Sequence, residues 1–130
     1  MDSSVIIEAL GTAGPPGRYR WDPLSRDGST LTAACELAPD GTAAFDATAT
    51  ADRPGGAWVI WHVDLLDRDG FIIGSLARES PVDGDWRKFL LPMPRPRARY
   101  RAQARATFDA SLWPSLERLK LYASLARPVR

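Results

Sequence analysis

The chain has 130 residues, of which 45% are hydrophobic and 25% charged, and its formal net charge is +1. That balance fits one globular domain spanning residues 1–130 and excludes a disordered chain or a strongly basic nucleic-acid binder. The single cysteine and single histidine exclude an internal disulfide and a Cys/His zinc site within one chain.

Eleven prolines and ten glycines favour short elements joined by turns. In chain order, a short apolar strand is predicted over 5–10, and Gly14-Pro15-Pro16-Gly17 separates it from Tyr19-Arg20-Trp21. Arg26-Asp27-Gly28-Ser29 then leads into a strand at 30–37. There Leu31, Ala33, Cys35 and Leu37 share one face, which makes Cys35 a buried structural thiol. Ala38-Pro39-Asp40-Gly41 reverses the chain into Ala43, Phe45, Ala47 and Ala49, the second alternating face of an antiparallel hairpin.

Asp52-Arg53-Pro54-Gly55-Gly56 turns into the most informative strand, residues 57–66, which holds two of the five tryptophans and His62. A strict period of two puts Ala57, Val59, Trp61, Val63 and Leu65 on one face, wholly apolar and suited to a core. Trp58, Ile60, His62, Asp64 and Leu66 take the other. Both faces are then too apolar for a surface strand, so the second face is expected to be covered or to bind something.

Asp67-Arg68-Asp69-Gly70 is a hairpin turn into 71–76; it lacks the spacing of a calcium loop. Pro92-Met93-Pro94-Arg95-Pro96 reads as an extended loop, because three alternate prolines exclude a central strand. Residues 100–108 alternate most cleanly. Tyr100, Ala102, Ala104, Ala106 and Phe108 face one way, and Arg99, Arg101, Gln103, Arg105 and Thr107 the other. This basic stripe reads as a solvated face paired with Asp46 or Asp52, since a nucleic-acid groove needs interleaved aromatics. A helical turn near 111–117, with Pro114 in its first turn, and a closing strand near 118–125 complete the chain.

Charge is uneven, net −6 over residues 1–70 and net +7 over 71–130, which fits complementary strands pairing across a sheet. No signal-like or membrane-length apolar run is visible, so the expected location is the cytoplasm, with no membrane and no nucleic-acid partner. No phosphate-binding glycine loop and no nucleophile elbow occurs, and no cofactor is called for.

Several segments carry a resemblance. They are Asp40-Gly41-Thr42-Ala43-Ala44-Phe45-Asp46-Ala47, Ala57-Trp58 with Trp61-His62, Leu66-Asp67-Arg68-Asp69-Gly70, Trp86-Arg87-Lys88-Phe89 and Phe108-Asp109. Between Trp21 and Tyr122 the chain resembles a domain-of-unknown-function family of short, β-rich bacterial proteins. The resemblance implies an all-β fold and transfers no catalytic residue.

The predicted architecture is a single antiparallel β-sandwich, jelly-roll-like, of seven to nine strands; a closed calycin-like barrel is the runner-up. The leading functional expectation is a domain that binds a small molecule on an aromatic-lined face or cleft. Trp58 and Ile60 would contact the ligand, with Trp21 and Trp86 at a pocket mouth. His62 and Asp64, about 6.6 Å apart along a strand, are the candidate acid–base pair. Their presence keeps a second class open, a cofactor-free cyclase or isomerase of bacterial secondary metabolism. A third is a self-associating module in which Trp58 and Ile60 form a homodimer patch.

Overall fold

The alternating segments become strands because each has one apolar face to bury. The computed structural model of the protein describes residues 5–14, 16–78 and 89–126. Among these are eleven strands in two antiparallel sheets. The larger sheet runs β2 (Thr12–Ala13), β3 (Arg18–Arg26), β4 (Ser29–Leu37), β5 (Thr42–Ala51), β10 (Tyr100–Thr107) and β8 (Ala77–Arg78) in spatial order. The smaller runs β1 (Ile7–Leu10), β11 (Arg118–Ala126), β6 (Gly56–Leu66) and β7 (Ile72–Ser75), and β9 (Phe89–Met93) pairs with the first half of β6. Among the described residues neither sheet closes on itself. The fold is an all-β sandwich, as expected, and not the barrel.

The chain crosses between sheets at Gly11, whose N–H donates to the Leu119 carbonyl at 2.8 Å. A Cβ there would come within 3.2 Å of the Trp21 indole, so the crossing is tight. The β4–β5 hairpin follows the sequence reading residue by residue, with Leu37 opposite Ala43 and Cys35 opposite Phe45. Gly41 takes φ +91°, and a Cβ would meet the Phe108 carbonyl at 2.7 Å, so glycine is required twice over at this turn.

The core lies between the sheets. Alanines 43, 47, 49 and 106 keep the larger sheet's inner face low, and Phe45, Trp21 and Trp58 fill the space above them. Trp21 lies tilted against Phe45, ring centroids 6.1 Å apart, and donates its indole N–H to the Ala9 carbonyl at 2.9 Å. From the smaller sheet come Ile60, Val63, Leu65, Leu119, Leu121, Ala123 and Leu125, each fully buried.

Two local expectations shift. Pro92 and Met93 end strand β9 and do not belong to a loop, and Met93 is buried in the core. The strand tolerates Pro92 because, among the described residues, β9 is an edge that pairs only with β6. The C-terminal helical turn is a 3-10 helix over Ala110–Ser115, capped by Asp109, whose carboxylate accepts from Ser111 N at 3.0 Å. Among the described residues no helix is long and apolar enough to cross a membrane.

Candidate functional site

The site is created by one extra residue in β6. Across the β6–β11 pair, Tyr122 faces His62 and the next residue, Ala123, faces Ile60, so Trp61 is the inserted residue of a β-bulge. An insertion reverses the alternation from that point on. Before the bulge Trp58 and Ile60 point into the core; after it Val63 and Leu65 do. Val59, Trp61, His62, Asp64 and Leu66 are left towards the outer face. Val59 and Leu66 are buried yet stand apart from the core cluster.

This corrects the strict period-two reading of the strand. His62 and Asp64 share a face, as expected, but Trp58 and Ile60 are on the opposite one with no accessible surface to offer a ligand or a second subunit. Trp58 donates its indole N–H to the Ser29 hydroxyl at 2.8 Å inside the core. Trp21, expected at a pocket mouth, is also interior, 3% exposed. Trp86 lies outside the described residues. Trp61, expected in the core, is instead half-buried and donates to the Ser124 hydroxyl at 2.9 Å.

Around the bulge the smaller sheet brings together side chains from four strands. His62 stacks on Tyr122, centroids 4.0 Å apart with 24° between the planes. Asp64, two residues along the same face, is nearly buried; its Oδ1 accepts from the Ser75 hydroxyl at 2.7 Å and is 3.7 Å from His62 Nε2. That last distance exceeds a hydrogen bond, so the pair is an ionic contact whenever His62 is protonated. Lys120 pairs with Glu8 at 2.6 Å and sits 5.4 Å from the Tyr122 ring centroid. Burial pushes the Tyr122 hydroxyl above its ordinary pKa, and the neighbouring Asp64 carboxylate adds to the effect.

Chemically, the arrangement is a partly exposed imidazole and phenol ring pair beside a nearly buried carboxylate. His62 keeps 42% of its side-chain surface exposed, and Asp64 only 9%. His62, Tyr122 and Trp61 are thus the partly accessible side chains of this face, with the Asp64 carboxylate beside the imidazole. Sequence reasoning missed Tyr122, Lys120, Ser75 and Glu8. The one available signal was the alternation of Lys120, Tyr122 and Ser124 opposite the leucine face of the closing strand.

Elsewhere, the turn after β6 uses Asp67 to hold backbone: its Oδ1 accepts from Asp69 N at 3.0 Å and Phe71 N at 2.9 Å. On the larger sheet Arg101 pairs with Asp46, as the sequence predicted for the basic stripe.

Comparison with known proteins adds the family and little else. No curated protein matches the chain. Among solved structures, the chain is similar to a DUF1425 family member from Shewanella sp. pv-4. The identity is 12%, the TM-score 0.39, and 92% of this chain and 97% of that one are covered. It is also similar to the enzymatically active domain of tailspike protein 4 from bacteriophage CBA120. There the identity is 12% and the TM-score 0.30, over 96% of this chain and 20% of that one. Residues 34–124 match the model of a family of unknown function, DUF6294, and the chain belongs to that family.

Proposed function

We propose that the protein is a small-molecule-binding β-sandwich domain whose site is the outer face of the smaller sheet at Trp61, His62 and Tyr122. The observation that carries this reading is the His62–Tyr122 stack beside the near-buried Asp64 carboxylate. An ordinary solvated sheet face keeps its carboxylates in water, because burying one costs several kcal/mol unless it is partnered, on the order of magnitude known for ions in proteins. Here Asp64 is held by Ser75 and lies 3.7 Å from the imidazole of a ring pair that is only partly buried. Rings of this kind favour a flat or cyclic organic ligand through offset stacking, and the imidazole supplies one hydrogen-bond handle.

The same imidazole–carboxylate contact favours a second reading, a cofactor-free cyclase or isomerase using His62 for proton transfer. Binding is the better supported of the two. The imidazole keeps 42% of its side-chain surface exposed, whereas enclosing a reactive chain away from water calls for a cavity around the proton-transfer group.

The test is a thermal-shift screen against mono- and dihydroxylated aromatic and alicyclic compounds, run in parallel on wild type, His62→Gln and Tyr122→Ala. The proposal predicts compounds that raise the melting temperature of wild type and lose that effect in Tyr122→Ala. A screen with no stabilising compound, or with stabilisation equal in both variants, contradicts it. For any compound that is also converted, a loss of about a hundredfold in turnover in His62→Gln favours the enzyme.

A further inference from the structure

The outer face of the larger sheet carries a second feature, unrelated to His62. A cavity of about 730 Å³ lies across it, and another of about 540 Å³ continues it over the shared row Arg20, Ala34 and Asp46. Cross-strand register explains the shape. Arg20 faces Ala34, which faces Asp46, which faces Gln103. One row along, Arg18 faces Glu36, then Ala44, then Arg105. The alanines make a low floor on the two central strands β4 and β5. Long side chains on β3 and β10 form walls three strand spacings apart, roughly 14 Å at the backbone.

The charges on this face are unequally used. Arg18 Nε donates to Glu36 at 3.1 Å, and Arg101 Nε to Asp46 at 2.9 Å. Arg20 and Arg105, on opposite walls, have no carboxylate partner among the described residues, although both are exposed. The trough thus presents two available guanidinium forks at its sides and two ion-paired carboxylates nearer its middle.

We propose that this trough binds an acidic oligosaccharide, a short chain of sugar rings bearing carboxylates. A guanidinium fork matches a sugar carboxylate in bidentate geometry, which suits Arg20 and Arg105. Glu36, Asp46 and Gln103 between them accept hydrogen bonds from ring hydroxyls, since a carboxylate already bonded to arginine keeps further acceptor sites. A polyanion without ring hydroxyls fits worse, because it meets Glu36 and Asp46 with like charge and offers them few donors. A single-stranded nucleic acid also lacks a stacking platform here. Tyr19 and Phe45 border the trough, but their rings are in the core.

The experiment is isothermal titration calorimetry with trigalacturonate, with neutral maltotriose, poly-glutamate and a thymidine oligonucleotide as comparators. Saturable trigalacturonate binding that weakens with salt is expected, with no heat from maltotriose. Arg20→Gln and Arg105→Gln should each weaken it about tenfold, one charge-assisted contact apiece. Ala44→Trp, at an exposed floor position, should block binding while the thermal melt stays that of a folded domain. His62→Gln should leave this binding unchanged, which separates the trough from the site on the other sheet. Absence of trigalacturonate binding at millimolar concentration overturns the proposal. So does equal binding of maltotriose, tighter binding of poly-glutamate or the oligonucleotide, or indifference to both arginine substitutions.

Discussion

His62 and Tyr122 face each other directly across β6 and β11 and stack at 4.0 Å, one step beyond the bulge at Trp61. In a regular strand, with Trp61 paired in the ladder and not set out as a bulge, His62 would share its face with Trp58 and turn into the core. One residue of register therefore decides which aromatic groups are structural and which are accessible.

The first prediction follows from that division. Trp58 is fully buried, so Trp58→Ala should destabilise the domain by about 3–5 kcal/mol through lost burial and a cavity. Trp61 is half-buried and bonded to Ser124, so Trp61→Ala should cost less, about 1–2 kcal/mol, chiefly for the Ser124 hydroxyl left without its partner. Chemical denaturation of the two variants checks the order. Equal losses, or a larger loss for Trp61→Ala, would mean that the bulge is wrongly placed.

Ser29 links the sheets through hydrogen bonds. Its hydroxyl accepts from Trp58 Nε1 at 2.8 Å and donates to the Thr50 carbonyl at 2.8 Å, all in a site 1% exposed. Ser29→Ala leaves the buried indole N–H unsatisfied and should cost about 1–3 kcal/mol. The double variant Ser29→Ala with Trp58→Phe removes both polar groups, so its cost should fall short of the two single costs added together. Strict additivity in urea melts would count against the bond.

Burial pushes the Cys35 thiol up to about 12. The native protein should therefore react with a thiol reagent far more slowly than the denatured one. The sign for stability follows from proton counts. In the unfolded chain the thiol ionises first, at about 8.5, so the unfolded state binds fewer protons above that pH. Cys35 thus contributes a loss of stability as pH rises from about 9 towards its folded value. Cys35→Ala should flatten that alkaline slope while costing about 1 kcal/mol at neutral pH. A slope unchanged by the substitution would show that the thiol is not the group responsible.

Asp46 is held below the ordinary carboxylate range by its hydrogen bonds from Arg101. Asp40 and Asp109 are lowered too, by Thr42 and by Ser111 at their turns. For such groups the contribution is present above the unfolded carboxylate pKa, about 4, and is lost as pH falls through the folded value. The melting temperature should therefore drop on acidification below about pH 4, and Asp46→Asn should drop less over that range. A melting curve for Asp46→Asn parallel to wild type would remove Asp46 from the account.

The sequence made the β4–β5 hairpin and β10 legible because apolar and polar residues alternate there without interruption, so the phase is fixed at every position. In Trp58-Val59-Ile60-Trp61 all four residues are large and apolar, so nothing marks where an extra residue enters. The period can be read but its phase cannot, which is why the sequence puts His62 and Asp64 on one face correctly and sets Trp58 and Ile60 on the wrong one. Tyr122 and Lys120 were out of reach for a different reason. Their partners, His62 and Glu8, are distant in sequence, and only the pairing of β11 with β6 and β1 brings them together.

The most direct test of the outer-face site is an NMR titration of the folded protein with a stabilising compound from the thermal-shift screen, following the His62 ring protons and the indole N–H signals of Trp58 and Trp61. The account predicts saturable shifts at His62 and Trp61 with one common affinity, while the Trp58 indole, buried and bonded to Ser29, stays still. Shifts centred on Trp58 with His62 unmoved would contradict it.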